Sequence, residues 1–327
     1  MVKKLYLLFI PVIITLIIFL YLNAPVNNGV TKNITINKGI TFHHIANILK
    51  KNRLIKSEFL FLSIVKITGS DKKLMQGYYE LSDKYSTLRI IKILTRGNIA
   101  TRTFTIPEGY NIYKIAKLLE KQNITSADKF LYLVKNKKII SKYKINSASL
   151  EGFLYPDTYT VPFNIRAEEL IDIMVKNFFS KIDNLYIKRM KKLNYTLEYT
   201  VKLASLVEWE AKEDFERPLI ASVFINRLKR NLNLGSCATV LYALGKHKKR
   251  LLFKDLKTRS EYNTYIYKGL PPTPICNPGY KSILAVLFPA KENYLYFVSM
   301  KNGRHYFSKT YSEHHKAYKK YILGINN

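Results

Sequence analysis

The pattern of apolar and polar positions divides the chain into stretches with different periods. The first is an unbroken apolar run, Leu5 to Leu22, behind Lys3 and Lys4 and ahead of Asn23, Pro25 and Asn27. As a helix rising about 1.5 Å per residue it covers about 27 Å, the depth of a hydrocarbon core. The lysines at its start favour a cytoplasmic N-terminus, with residues 24–327 exported. The run is long for the apolar part of a cleaved signal peptide, and Pro25 after Ala24 is a poor cleavage context, so a retained anchor over residues 1–23 is expected. Beyond it, Ile36-Asn-Lys-Gly39 followed by Ile45-Ala-Asn-Ile-Leu49 parallels Ile106-Pro-Glu-Gly109 followed by Ile115-Ala-Lys-Leu-Leu119. Each reads as a strand, a glycine turn and an amphipathic helix, an internal repeat that defines an α/β region over 24–145. Leu150-Glu-Gly-Phe-Leu-Tyr-Pro-Asp-Thr-Tyr159 is a turn-rich junction, and from Ile165 to Leu256 the helical period dominates. Tyr294 to Ser299 and His305 to Ser308, joined through Asn302-Gly303, predict a hairpin. A helix from about Tyr311 to Tyr321 closes the chain. The fold class is therefore α+β, with a second domain over 146–327 that is helical first and ends in a hairpin.

Composition changes this picture in one place. With 54 Lys and Arg against 23 Asp and Glu the net charge is +31, which invites a nucleic-acid partner. The excess is mostly lysine, spread along the whole chain, and no recognition helix, zinc knuckle or aromatic sheet motif accompanies it. No nucleic acid is expected, and anionic headgroups or wall polymers are the simpler counterpart. Cys237 and Cys276 are the two cysteines, too few for a disulfide framework, though an oxidising compartment allows them to pair. The histidines match no zinc spacing. His314-His315 beside Glu313 comes nearest, but Thr310-x-x-Glu313 has the form of a capping box, which gives that glutamate a structural task. No metal and no cofactor is expected.

The segment richest in candidate chemistry is Leu197 to Ala211. At 100° per residue Leu197, Val201, Leu203, Ala204, Val207 and Ala211 share one arc, and Glu208 falls inside it. Glu198, Trp209 and Glu210 fall outside. A carboxyl group facing an apolar interior resists ionisation, as a general acid at neutral pH requires; equally, a buried glutamate is satisfied by an arginine such as Arg217 or Arg227. The wheel leaves both readings open.

Ordered motifs add a resemblance. Leu203-Ala-Ser-Leu-Val-Glu208, Ala221-Ser-Val-Phe-Ile-Asn226-Arg-Leu228, Leu234-Gly-Ser-Cys-Ala-Thr239-Val-Leu-Tyr242, Glu261-Tyr-Asn-Thr-Tyr265, Gly269-Leu-Pro-Pro272, Tyr294-Leu-Tyr-Phe-Val298 and His305-Tyr-Phe307 follow one another. With Glu151-Gly-Phe-Leu-Tyr-Pro-Asp157, this series resembles the endolytic murein transglycosylases, the MltG or YceG-like family. The resemblance implies cleavage of the β-1,4 bond between N-acetylmuramic acid and N-acetylglucosamine in peptidoglycan strands, without water, leaving a 1,6-anhydromuramyl end. Glu208 matches the family's catalytic glutamate, and Asn226, Ser236, Tyr262, Asn263, Tyr265 and His305 are the expected sugar contacts. Cys237 stands where many relatives carry Asp, and a thiol replaces a carboxylate only when ionised, so the resemblance supports a single-glutamate mechanism. Thr273 departs from the usual small turn residue. The segment from Ile34 to Ala46 is similar to the opening of a LysM module, a βααβ unit for N-acetylglucosamine-containing glycans; a plain spacer is its alternative. Implied partners are peptidoglycan strands, the plasma membrane through the anchor, and glycan synthases. A binding or scaffold protein that has lost activity, a polyanion binder and a lysozyme-like hydrolase are the competing readings.

Overall fold

The computed structural model describes residues 2–26, 29–37, 39–245 and 251–325, with side chains from residue 10 onward. It divides into two compact units, one of residues 1–103 with 160–164, the other of 104–159 with 165–327.

The first unit opens with helix α1, Val2–Asn23, where the membrane span is expected. Among the described residues no helix is long and apolar enough to cross a membrane. The last turn of α1 packs Phe19 and Leu22 against the core of its own unit, and Asn23 Oδ1 accepts the Leu88 N–H at 3.0 Å. Strand β1 (Thr31–Ile36), helices α2 (Phe42–Lys51) and α3 (Glu58–Ile67), and strand β2 (Gly77–Ser82) follow. The strands are antiparallel, with Ile34 opposite Tyr79 and Thr31 opposite Ser82. Alternation along β1 sends Ile34 and Ile36 inward, where Ile45, Leu49, Phe61, Val65 and Leu81 meet them. Thr41 and Ser57 cap the two helices by accepting the N–H groups of His44 and Leu60. Helix α4, Thr87–Arg96, is capped by Ser86 and ends at Gly97 in the left-handed conformation. Strand β3, Thr101–Thr105, starts here.

The second unit contains α5 (Ile112–Lys121), α6 (Ala127–Val134), α7 (Lys137–Ser141), β4 (Thr158–Pro162), α8 (Ala167–Lys181), α9 (Asn184–Leu193), α10 (Leu197–Glu210), α11 (Arg217–Lys229), α12 (Cys237–Leu244), α13 (Phe253–Leu256), α14 (Tyr280–Leu287), β5 (Tyr296–Ser299), β6 (His305–Ser308) and α15 (Tyr311–Tyr318). Strand β4 pairs with β3. Thr105 and Thr158 meet across this ribbon in the second unit, and Thr103 and Thr160 in the first, through hydroxyl contacts of 2.8 and 2.9 Å. Helix α10 is the axis of the unit: Val201, Leu203, Ala204, Leu206 and Val207 are fully buried, and α11 and α14 pack on it. The hairpin has the expected place, with Ser299 opposite His305, and Glu313 and Thr310 form the expected capping box.

The repeat is present in three dimensions. Helices α2 and α5 each follow a positive-φ glycine, Gly39 and Gly109, and each buries its Ile-Ala pair and the leucine after it. The two helices nonetheless belong to different units, α2 to the first and α5 to the second. Bonds to distant residues hold the second copy in its unit. Ile112 N–H reaches both oxygens of Glu151 at 3.1 Å, and Gly109 N–H and Tyr110 C=O pair with the backbone of Asn277 at 3.0 and 2.9 Å. Asn277 also accepts from the N–H groups of Gly152 and Leu154 at 2.9 Å and donates to Glu151. Gly152 lies against α10 at φ +88°, and a methyl group there would sit 2.5 Å from Pro274 and 2.7 Å from Val201.

Candidate active site

Helix α10 begins at Thr196, whose hydroxyl accepts the Tyr199 N–H, and its last turn carries Glu208, Trp209 and Glu210. These three side chains leave the helix in different directions and meet different surroundings.

Glu208 is 9% exposed and points into the unit. Its Oε1 is 3.1 Å from Nη1 of the equally buried Arg217, and its Oε2 accepts the Gly279 N–H at 2.9 Å. Arg217 also donates to Ser282 and, at 3.1 Å, to Asp214. Burial opposes the charge on Arg217, but Glu208 and Asp214 outweigh it and hold its pKa above the ordinary value. Glu108 lies beside this pair: a methyl group added to Gly279 would overlap its carboxylate, and partial desolvation followed by the charge of Glu208 raises its pKa. Of the two readings left open by the helical wheel, the structure has the arginine-satisfied glutamate.

Glu210 faces a cavity of about 530 Å³. Arg227, Ser236, Cys237, Tyr265, Tyr296 and His305 line it with Glu210, which is the only carboxylate among the described lining residues. Ser236 Oγ donates to Glu210 Oε1 at 2.6 Å. Burial raises the pKa of Glu210, while the Ser236 hydroxyl and the nearby His305 pull it partway back. The imidazole of His305 is fixed by Glu216, whose Oε2 lies 2.8 Å from Nδ1, so Nε2 is the ring nitrogen left for the cavity. Arg227 donates to the Leu234 carbonyl at 2.7 Å and stacks on Tyr296, with its Nε buried and without a partner. Cys237 Sγ lies 3.1 Å from the Tyr265 hydroxyl, and burial raises the thiol pKa, so this side chain supplies no anion at neutral pH. Both cysteines are free; Cys276 is buried and bonds to the Ser205 carbonyl.

Of the expected sugar contacts, Ser236, Tyr265 and His305 come together in this cavity. The other three lie outside its lining and bond within the protein. Asn226 donates to the carbonyls of Glu292 and Tyr294 at 2.8 and 3.0 Å. Asn263 is fully buried, donates to the carbonyls of Leu256 and Thr258, and accepts the Tyr265 N–H. Tyr262 bonds to Thr273 at 2.7 Å and packs on Tyr242. Glu208 is not part of the cavity lining. Glu210 and Arg227 line the cavity without being among the expected contacts. Glu210 stands outside the apolar arc at a helix end, which is the signal in the sequence that it faces away from the core.

Trp209, between the two glutamates in sequence, lines a smaller cleft with Tyr113, Lys114, Lys117 and Tyr242. Among the described residues no group of histidine, cysteine and carboxylate side chains is arranged to hold a metal ion.

The model of the YceG-like family matches residues 34–320, nearly everything after the apolar run. The chain belongs to the YceG-like family. It is 40% identical over 314 residues to the endolytic murein transglycosylase of Bacillus subtilis (strain 168), covering 90% of this chain and 86% of that protein. The endolytic murein transglycosylase of Streptococcus pneumoniae (strain ATCC BAA-255 / R6) is 31% identical over 325 residues, and there the match spans 58% of the longer relative. The crystal structure of a yceG-like protein from Listeria monocytogenes superposes with a TM-score of 0.62 at 35% identity, over 89% of this chain and 100% of that one. This YceG-like chain thus shares its α+β fold with a solved relative.

Proposed function

We propose that this chain is an endolytic peptidoglycan lytic transglycosylase and that Glu210, in place of the expected Glu208, is its acid and base. The observation that carries the assignment is the lone carboxylate in the cavity, held by Ser236 and kept protonated to higher pH than usual by burial. Glycosidases that use water employ two carboxyl groups, one as acid and one as base or nucleophile. Here one serves twice. Glu210 gives its proton to the glycosidic oxygen as the bond from muramyl C1 breaks, and that oxygen leaves as the hydroxyl of the next sugar. The Glu210 carboxylate then takes the proton of the muramyl C6 hydroxyl as O6 bonds to C1, which closes the 1,6-anhydro ring and restores the acid. The nucleophile comes from the substrate, so a neutral Cys237 is compatible with turnover. Arg227 and the Nε2 edge of His305 are placed to bind the polar rim of the sugars. Glu208, neutralised by Arg217 and bonded to Gly279, holds the end of α10 in place.

The anchor and the glycan-binding module belong to the same proposal. In favour of the anchor is the apolar run in the sequence from Leu5 to Leu22 behind Lys3 and Lys4. In favour of a LysM-like module is the order β1, α2, α3, β2 with the two strands antiparallel. A catalytic unit tethered outside the plasma membrane reaches strands as glycan synthases release them. The experiment is digestion of purified peptidoglycan by the detergent-solubilised full chain, by Glu210→Gln and by Glu208→Gln, with mass spectrometry of the products. Anhydromuramyl ends from the wild type and from Glu208→Gln, absent with Glu210→Gln, are expected. Reducing ends would make the enzyme a hydrolase, and loss of product only in Glu208→Gln would return the chemistry to that residue. Glycan binding without cleavage would favour the scaffold reading.

A further inference from the structure

The cleft beside Trp209 is not needed by the acid-base chemistry, yet it is built for a particular kind of ligand. Its volume is about 290 Å³, and Tyr113, Lys114, Lys117, Trp209 and Tyr242 form its walls. Lys114 in the cleft, and Lys135 on Tyr113, are held by rings. The Lys114 ammonium lies 5.1 Å from the Trp209 ring centroid and 5.5 Å from that of Tyr110. Lys135 lies 4.8 Å over the Tyr113 ring and donates to its hydroxyl at 3.1 Å. Among the described residues no carboxylate forms an ion pair with Lys114, Lys117 or Lys135. Aromatic faces orient an ammonium group without neutralising it, so its charge stays available to an incoming anion. Trp209 stacking on a sugar ring is disfavoured, because Lys114 already lies over the indole.

The cleft is close to the proposed acid along two elements. Trp209 precedes Glu210 on α10, while α12 begins at Cys237 in the large cavity and reaches Tyr242 in the cleft, about 7.5 Å along the helix axis. We infer that this cleft is a subsite for the carboxylate-bearing peptide carried by the glycan strand, with Lys114 and Lys117 as its recognition cations. This inference rests on the reading of the chain as a peptidoglycan-cleaving enzyme and specifies the form of substrate it takes.

The test is equilibrium binding by the full chain carrying Glu210→Gln, so that strands are not consumed. The ligands are uncrosslinked glycan strands with their peptides and the same strands stripped of peptides by an amidase. Strands with peptides should bind about fivefold more tightly or better, the range of two partly exposed ion pairs. Adding Lys114→Ala and Lys117→Ala should bring the two ligands to within about twofold of each other without altering affinity for stripped strands, and Lys114→Arg with Lys117→Arg should keep the preference. Equal affinity of the parent for both ligands, or an equal loss on both in the alanine variant, would overturn the inference. Peptide-dependent binding by a wild-type chain that never cuts strands would refute the catalytic reading and leave the subsite standing. Cleavage with no peptide dependence would do the reverse.

Discussion

Glu208 and Glu210 leave one helix about 200° apart, and the two regions they enter treat a carboxylate in opposite ways. Around Glu208 both carboxylate oxygens are bonded, one to a buried guanidinium at 3.1 Å and one to a backbone N–H at 2.9 Å, with the Glu108 carboxyl alongside. Around Glu210 there is one hydroxyl, a histidine fixed from its far side and a cavity of about 530 Å³. The first arrangement satisfies the charge on both oxygens. The second holds a carboxyl group in one orientation, makes its proton harder to lose and leaves room for a reacting sugar. Burial alone therefore does not mark a catalytic acid. What distinguishes it is burial with its hydrogen-bonding capacity unfilled and a cavity in front of it.

The widest separation between the two regions is expected in activity. Glu210→Gln preserves shape and the contact with Ser236 but has no proton to give, so turnover should fall by about 10²- to 10⁴-fold with thermal stability within about 0.5 kcal/mol of wild type. Product counting by mass spectrometry and a melting curve measure the two halves. Glu208→Ala should do the reverse. It strands Arg217, 8% exposed, without its main partner, and breaking a buried pair in this way costs about 3–5 kcal/mol. Denaturant unfolding should show that loss, while the folded fraction still makes anhydro ends. If Glu208→Ala abolished product in a protein of unchanged stability, the contrast would be the wrong way round.

A smaller perturbation tests how tightly the first region is packed. Gly279 has an ordinary φ of −76°, and a methyl group there would meet only the carboxylate end of the exposed Glu108 side chain, which can swing aside. Gly279→Ala should therefore cost less than about 1 kcal/mol. Removing the obstacle with Glu108→Ala in the same chain should recover most of that loss. Strictly additive losses in the double-mutant cycle would show that the two residues do not meet.

The sequence made some of this legible. The strand-helix repeat, the capping box at Thr310 and Glu313 and the hairpin through Gly303 are local, set by residues a few positions apart, and each is present. The wheel also ranked Glu208 as buried, correctly. It left the role of Glu208 open because it reports which side of a helix is apolar and is blind to what lies opposite. Arg217 and Gly279 reach Glu208 from 9 and 71 positions away. Asn226 and Asn263 have the chemistry to bind acetamido sugars, but backbone carbonyls of neighbouring loops occupy their amides first. The assignment of the second repeat copy turned on contacts of Ile112 with Glu151 and of Tyr110 with Asn277, across 39 and 167 positions. No periodicity in these segments encodes such contacts.

The finest test acts on Glu210 through a single hydrogen bond. The Ser236 hydroxyl donates to the carboxylate and so favours its charged form, opposing the burial that raises the pKa. Ser236→Ala removes only the opposing influence, and the pKa should climb further. The first half of the reaction needs Glu210 protonated, so the alkaline limb of kcat/KM should move to higher pH, by up to about one unit. The maximum rate should change by less than about tenfold. Ser236 stands at the N-cap of α12 but makes no capping bond with its side chain, so stability should hold within about 0.5 kcal/mol. An alkaline limb that stays in place would mean that the proton donor read by the pH profile is not Glu210. A matching shift from Ser282→Ala, which touches Arg217 and the Glu208 region alone, would assign the donor to the other side of the helix.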